Sequence, residues 1–229
     1  MEIKNIIIII IFAIVILVIS YLGLPIGWSF YQAIFNPLGN LEIDRQYRNL
    51  SSEDLIKKLT PIHPLGATPS CAMQILAERR EQLAVPKIIK LINSVNPDNR
   101  YQAIRALGNI GDERGIEPLL KIINKGDNKN NPNYHAALYS LCQIGYKPIH
   151  PIVLEMLKRP DGARNGSTAM MEYIGADADI LVLEDMLNKI RGNDVNARLD
   201  RSGIKKAIEA IKKREGIIKA KSDMTKKVE

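Results

Sequence analysis

The residues of this sequence that could carry out chemistry are few, and their spacing does not bring them together. The three histidines are His63, His135 and His150, and none stands four residues from another metal ligand, as a helical metal site requires. The two cysteines, Cys71 and Cys142, are too few for a disulfide framework or a four-cysteine zinc site. We therefore expect no metal and no cofactor, and we interpret both cysteines as small buried residues of a helical core.

Pairs of carboxylates are the remaining candidates for acid–base catalysis. They occur at Asp112 and Glu113, at Asp177 and Asp179, and at 184–185. Members of the first two pairs directly precede predicted helices, where a carboxylate caps free amide groups and interacts favourably with the helix dipole. The sequence thus predicts no catalytic residue, and we expect no enzymatic activity.

The elements that hold these residues are predicted from a repeated pattern. Segments 100–111, 134–145 and 164–175 each have a small residue seven positions before an isoleucine, a Leu or Met three before it and a Gly directly after it. These apolar positions lie on one face of a helix, and the Gly suits the left-handed conformation that ends it. The predicted structural positions are Arg100, Ala103, Leu107, Ile110, Gly111, Ala137, Leu141, Ile144, Gly145, Arg164, Met171, Ile174 and Gly175.

A second amphipathic segment follows each of these, so that every repeat predicts a helical hairpin; the second segments are 117–123, 151–157 and 180–187. A less regular hairpin precedes them, in which Arg79 and Arg80 replace the Ile-Gly stop, as is typical of an end repeat. The segment from Asn196 to Lys213 predicts a capping helix. We therefore predict an all-α protein, with an α-solenoid of about four hairpins behind one N-terminal transmembrane helix.

The most regular repeat carries a family resemblance. Its sequence is Pro97-Asp-Asn-Arg100…Ala103…Ala106-Leu-Gly-Asn-Ile-Gly-Asp112. It resembles the HEAT-repeat family, in particular the short bacterial HEAT-like repeats of the phycobilisome-lyase type, with the pattern D-x-x-V-R-x-x-A-x-x-A-L-G-x-I-G-D. The resemblance covers residues 66–212. It implies a right-handed stack whose second helices line a concave binding surface.

The family implies no single activity. From the repeat spacing, the missing catalytic constellation and an apolar N-terminal run, we predict a membrane-anchored scaffold or adaptor that binds protein partners on the concave face of the array and performs no catalysis. Two alternatives stay open: a bilin-lyase-like or other enzyme-associated HEAT protein, and a nucleic-acid-binding HEAT-like array. Residues 1–200 carry 22 basic and 21 acidic side chains, and this balance disfavours nucleic acid as a partner. The lack of a catalytic constellation disfavours a small-molecule substrate.

The N-terminal residues predict a membrane anchor over 1–25. No charged side chain lies between Lys4 and Glu42. At 1.5 Å per residue, 6–24 would span about 28 Å, close to the ~30 Å hydrocarbon core. A cleaved signal peptide, with 18–20 as its cleavage site, is the alternative. The predicted anchor and headgroup positions are Ile6, Ile10, Ile14, Leu17, Leu22, Trp28 and Tyr31.

The flanking charges predict the orientation of such a single-pass protein. Lys4 and the α-amino group precede the span, and the next basic residue is Arg45, so the positive-inside rule favours a soluble domain outside the cytoplasm; the cytoplasmic side stays open. We predict a connector with a short helix at 26–65, the repeat domain at 66–212 and a basic tail at 213–229. The basic positions at this end are Lys205, Lys206, Lys212, Lys213, Arg214, Lys219 and Lys221.

Overall fold

The computed structural model of this 229-residue chain describes residues 44–60, 69–125, 131–159, 164–192 and 195–225. The side chains of residues 164, 165 and 217–225 are not part of that description. The chain divides into two compact units, Met1–Ser51 and Ser52–Glu229. In the described part of the first unit, residues 44–48 are helical and the Arg48 guanidinium pairs with the Asp44 carboxylate at 2.8 Å.

The described residues of the second unit form helices joined by short turns and contain no strand, which confirms the predicted all-α class. The short helix expected in the connector is α1. Four pairs of helices follow it, and one long helix ends the unit. The helices are α1 Ser52–Lys57, α2 Pro69–Glu78, α3 Val85–Leu91, α4 Pro97–Ile110, α5 Ile116–Ile123, α6 Pro132–Ile144, α7 His150–Leu157, α8 Arg164–Ile174, α9 Asp177–Lys189 and α10 Val195–Thr225.

The helices pack in the order of the sequence. The first helices of the pairs, α2, α4, α6 and α8, form one row, and α10 continues this row. Each helix of the row contacts the next. Each second helix packs on the first helix of the following pair: α3 on α4, α5 on α6, α7 on α8 and α9 on α10. Because contacts run between neighbouring pairs, the unit is consistent with an α-solenoid.

The repeated apolar positions form the core of this unit. In the first helices, Ala103, Leu107, Ala137, Leu141 and Met171 are at most 1% exposed. The second helices contribute residues at equivalent positions that are fully buried: Ile88, Leu119, Val153 and Leu183. Burying a side chain of this size stabilises the fold by about 1.5–3 kcal/mol, so the repeat pattern itself is the main source of cohesion between the pairs.

Backbone conformation at the ends of the first helices follows the sequence only in part. Gly111 and Gly145 adopt the left-handed conformation, with φ of 77° and 89°. Arg80 occupies the same repeat position, 31 residues before Gly111, and is also left-handed with φ of 52°. Gly175 is different, because it does not have a positive φ and its role is close packing: an added Cβ would lie 2.6 Å from Ile211 Cδ1.

The final helix is longer than predicted. The sequence predicts a capping helix that ends near Lys213, whereas α10 continues to Thr225 and includes Gly216. A glycine inside a helix costs only about 1 kcal/mol relative to alanine, and the flanking Lys, Glu, Ile and Ala residues favour helix. The predicted boundary between repeat domain and basic tail therefore lies inside a continuous helix.

The predicted single-pass membrane localisation is wrong, because none of the helices that the structure describes is both long and apolar enough to cross a bilayer. The paired helices have at most 14 residues, about 21 Å, and α10 is long but rich in Lys and Arg. The anchor predicted over 1–25, with its listed positions from Ile6 to Tyr31, lies outside the described residues.

Candidate protein-binding surface

The second helices of the pairs present half-buried apolar side chains beside their fully buried ones. Leu119 on α5 is completely buried, whereas Pro118 and Ile122 are partly exposed. The same holds on α9, where Leu183 is buried and Val182 and Met186 are partly exposed. These partly exposed residues form the floors of two grooves between second helices.

Groove A lies between α3 and α5 and has a volume of about 430 Å³. Its floor is apolar, and the two lysines that line it are Lys121 and Lys125. Among the residues that the structure describes, no carboxylate lines it. Its lining residues are Ile89, Ile92, Asn93, Pro118, Lys121, Ile122, Asn124 and Lys125.

Groove B lies between the C-terminal end of α7 and α9 and has a volume of about 440 Å³. It also combines an apolar floor with basic side chains, and its described lining contains three basic side chains and one carboxylate. Its lining residues are Lys158, Arg159, Val182, Asp185, Met186, Lys189 and Ile190.

The two grooves occupy equivalent places in the repeat. Gly111 and Gly175 mark the same repeat position 64 residues apart, and the same offset relates Ile122 to Met186 and Lys125 to Lys189. The array therefore presents the same type of groove twice, two repeats apart. Such a surface suits an elongated partner that contacts both grooves at once.

Ion pairs along the second helices leave a positive excess at these grooves. Lys121 pairs with Glu117 at 3.7 Å, Arg159 pairs with Glu155 at 3.2 Å, and Lys189 pairs with Asp185 at 2.5 Å. These pairs are largely exposed and contribute little to stability. Lys125 and Lys158 have no ion-pair partner among the residues the structure describes. The groove rims are thus complementary to acidic groups on a partner.

The residues predicted from the repeat pattern build the hairpins rather than line the grooves. Arg100 Nη1 donates to the carbonyl oxygens of Ser94 and Val95 at 2.8 and 2.9 Å, which ties α4 to the loop before it. Ile110 and Ile174 are buried, whereas Ile144 is partly exposed. The side chain of Arg164 lies outside the described residues.

Sequence reasoning missed the groove residues themselves. The sequence contains a signal for them. In the second helices, partly exposed apolar residues flank the buried ones, and a basic residue recurs at the same position of successive repeats. Lys125, Arg159 and Lys189 form this basic column. An amphipathic pattern alone assigns such residues to the solvent face, so only the packing of neighbouring pairs identifies them as groove walls.

The candidate chemical groups have structural partners. His150 Nε2 lies 2.8 Å from Asp179 Oδ2, and the same oxygen accepts a hydrogen bond from the Ala176 amide at 2.7 Å. Asp179 is 5% exposed, so this arrangement caps α9 and joins it to α7. In the described residues no group of three or more potential ligands could hold a metal ion. His63 lies outside that part of the chain.

The surroundings of the Asp112 carboxyl and the Cys142 thiol shift the pKa of each group. Asp112 Oδ2 accepts a hydrogen bond from Arg114 Nη2 at 2.6 Å, and this bond holds the pKa of the Asp112 carboxyl below its usual range. The thiol of Cys142 is fully buried in α6, and burial raises its pKa to about 12. A thiol with that pKa is protonated at neutral pH and is a poor nucleophile.

The basic C-terminal segment is partly built into the fold. Arg214 donates to the carbonyl oxygens of Glu172, Tyr173 and Gly175, which satisfies the C-terminal end of α8. Lys212 Nζ lies 3.5 Å from Glu184 Oε1. The exposed members are Lys205, Lys206, Lys212 and Lys213, and the side chains of Lys219 and Lys221 lie outside the described residues.

Comparisons with known proteins agree with this architecture. A family model of HEAT repeats matches residues 52–131, which include helices α1 to α5. Among solved structures, the chain is similar to a chain in the complex of CpcE and CpcF of phycocyanin lyase from Nostoc sp. PCC7120, with 22% identity and a TM-score of 0.50. The match covers 67% of this chain and 64% of that one. No curated protein sequence matches significantly. These findings support a HEAT-repeat fold.

Proposed function

We propose that this protein is a HEAT-repeat scaffold that binds a protein partner along its second helices and performs no catalysis itself. The observation that carries the proposal is the repetition of one groove type at two equivalent places, each with an apolar floor and a basic rim. Grooves A and B, at about 430 and 440 Å³, are open to side chains of a partner. We propose that this surface is the concave face that the resemblance to HEAT repeats implies.

The partner is an elongated protein segment that carries apolar and acidic residues. Apolar side chains would enter the grooves and contribute most of the affinity, since burial of apolar area dominates association. Acidic residues would meet Lys125 and Lys158, which have no ion-pair partner among the described residues, and would mainly raise the association rate and the specificity. The similar solved structure is itself a complex of two proteins, which supports a protein partner.

The test is co-purification with paired charge-reversal variants of the full chain. Lys121→Glu with Lys125→Glu reverses the rim of groove A, where both side chains are exposed. The matched control is Lys205→Glu with Lys206→Glu, which makes the same charge change on the exposed face of α10. The proteins bound to each variant are compared quantitatively by mass spectrometry.

We expect the groove variant to lose a specific co-purifying protein that the control variant retains. A groove B variant, Lys158→Glu, should weaken binding of the same protein. Loss in both the groove and the control variants would indicate a nonspecific charge effect and contradict the proposal. Retention of every bound protein by the groove variants would contradict it as well.

A lyase-associated role is the alternative, because the similar structure belongs to a phycocyanin lyase. Such a role requires binding of a bilin or of a bilin-carrying protein. Absorbance titration of the purified chain with free phycocyanobilin separates the two. A shifted and intensified visible band would favour the lyase-associated role, whereas an unchanged bilin spectrum is expected for the scaffold.

A further inference from the structure

A second recess lies at the C-terminal ends of the first helices, away from grooves A and B. It has a volume of about 320 Å³ and is formed by four successive first helices, α2, α4, α6 and α8. Its lining is mainly polar, and no part of the proposed function uses it. We call it the helix-end pocket; its lining residues are Ala77, Glu78, Arg80, Gly108, Asn109, Ile110, Gly111, Gln143 and Tyr173.

The backbone of Arg80 is strained at this pocket. Its φ of 52° places it in the left-handed region, where Gly111 and Gly145 stand in the following repeats. A residue with a Cβ is disfavoured there by roughly 1–2 kcal/mol, and glycine avoids that cost. The fold therefore accepts glycine at this position, so the arginine is not explained by the turn. Strain of this kind is common where a side chain serves a binding site.

The charge of Arg80 is not used within the described protein. Its backbone amide donates to the Ala77 carbonyl, but its guanidinium has no hydrogen-bond or ion-pair partner among the described residues. Glu78 lines the same pocket, and its Oε1 accepts a hydrogen bond from Gln74 Nε2 at 3.0 Å. The guanidinium is thus a cation with an open binding capacity for a carboxylate.

Two amide side chains at equivalent repeat positions, Asn109 and Gln143, line the same pocket. Gln143 Nε2 donates to Asn109 Oδ1 at 2.8 Å, 34 residues away in the sequence. This bond leaves the side-chain amino group of Asn109 (Nδ2) and the side-chain oxygen of Gln143 (Oε1) without further partners in the described chain. One free donor and one free acceptor match the carbonyl and the amide N–H that an extended peptide offers.

We propose that the helix-end pocket binds an extended acidic peptide segment. The peptide backbone contacts the Asn109 and Gln143 amides, and a carboxylate side chain pairs with the Arg80 guanidinium. The site lies on the first helices and is independent of grooves A and B. The free side-chain oxygen of Gln143 favours a peptide over a small carboxylate, because a peptide N–H can donate to it and a carboxylate cannot.

The probe is a fluorescein-labelled octapeptide of alternating Asp and Ser, titrated into the full chain and followed by anisotropy. It has no apolar side chain for the grooves. The test variant is Arg80→Asn, because asparagine tolerates the left-handed conformation but carries no charge. The matched control is Arg105→Gln, which removes one exposed charge from α4 outside the pocket. The groove variant with Lys121→Glu and Lys125→Glu separates this site from the proposed function.

We expect the Asp-Ser peptide to bind. An octapeptide of alternating Lys and Ser serves as the charge control, and we expect it not to bind. Arg80→Asn should weaken binding at least tenfold, whereas Arg105→Gln and the groove variant should change it less than twofold. A peptide with N-methylated backbone should bind at least fivefold more weakly. The proposal is overturned if Arg80→Asn binds as the wild type does or if the groove variant abolishes binding. Competition with unlabelled ligands gives a further test. If succinate or inorganic phosphate displaces the labelled peptide at the same concentration as the unlabelled peptide does, the pocket binds small anions and the proposal is overturned.

Discussion

Gly108 on α4 lies directly against Ser140 on α6. A Cβ built on Gly108 would stand 2.6 Å from Ser140 Cα and 2.6 Å from Gln143 Oε1. Beside this contact, Ser140 Oγ donates to the Ile104 carbonyl oxygen at 2.9 Å. The approach of the two first helices is therefore set by a position that has no side chain.

This contact predicts that Gly108→Ala destabilises the protein. The added methyl group meets backbone as well as side-chain atoms, so the helices must move apart, and overpacking of this kind costs about 1–3 kcal/mol. The measurement is the free energy of unfolding in urea. Gly166→Ala is the control, because nothing lies within 4 Å of its added Cβ. It should be neutral or stabilising by up to about 1 kcal/mol, and equal effects of the two changes would contradict the packing argument.

The left-handed positions predict opposite effects of two substitutions. Arg80→Gly relieves the strain at φ 52° and should stabilise the protein by about 1 kcal/mol. Gly111→Ala introduces the same strain at φ 77° and should destabilise it by a similar amount. Thermal unfolding of both variants checks the sign. A destabilised Arg80→Gly variant would show that the arginine supports the fold rather than a ligand.

The cap of α9 predicts the effect of removing Asp179. Asp179→Ala leaves the Ala176 amide and the His150 ring without their partner, and the loss should be about 1–3 kcal/mol at pH 7. Asp177→Ala, two residues earlier and exposed, should cost less than half as much. Urea unfolding followed by circular dichroism measures both. If both variants lost the same free energy of unfolding, the stabilisation by Asp179 would come from the interaction of its charge with the helix dipole and not from the capping bonds, which would contradict the prediction.

Arg214 predicts a structural role for part of the basic segment. Arg214→Met keeps much of the apolar stem but removes hydrogen bonds to three carbonyl groups at the end of α8, and we expect a loss of about 1–3 kcal/mol. Lys213→Met, at an exposed neighbouring position, should stay within about 0.5 kcal/mol of the wild type. The comparison uses urea unfolding at constant ionic strength. A neutral Arg214→Met would mean that these bonds contribute nothing net.

Cys142 predicts a pH dependence at alkaline pH. Burial raises its pKa to about 12 in the folded state, against 9.0 for the free thiol. Because the folded pKa is the higher one, the contribution of the thiol is fully present below pH 9 and is lost as the pH rises toward 12. In that window the unfolding equilibrium constant should rise up to about tenfold per pH unit from this group.

The measurement for Cys142 is the difference between wild type and Cys142→Ala across pH 8 to 11. Lysine and tyrosine residues titrate in the same window in both proteins, so only the difference reports the thiol. We expect the stability of the wild type to fall more steeply with pH than that of the variant. Parallel curves would mean that the thiol is not buried in the folded protein.

The helical pairs and their repeat could be predicted because apolar spacing determines which helix face is buried. Ala103, Leu107 and the equivalent positions of later repeats lie in the core for that reason. The capping bonds of Asp112 and Asp179 to nearby amides likewise depend on neighbouring residues, whereas the contact of Asp179 with His150 comes from the packing of two pairs. These features are encoded within one turn or one repeat of the chain.

The surfaces could not be predicted, because they depend on contacts between repeats. Ile122 and Met186 become groove residues only when the next second helix packs beside them. Gly175 looks like Gly111 in sequence, yet it is shaped by contact with Ile211 on a helix that follows later. The predicted membrane localisation is wrong because it rests on the apolar N-terminal run alone, whereas none of the described helices is both long and apolar enough to cross a bilayer.

The most direct test of the scaffold proposal is site-specific photocrosslinking in cells. The photoreactive amino acid p-benzoylphenylalanine replaces Ile89 in groove A or Val182 in groove B, both partly exposed, and Glu209 on the exposed face of α10 serves as the control. The account predicts that irradiation joins the same protein to both groove positions and not to position 209. Adducts of unrelated proteins at the two grooves, or equal adducts at all three positions, would contradict it.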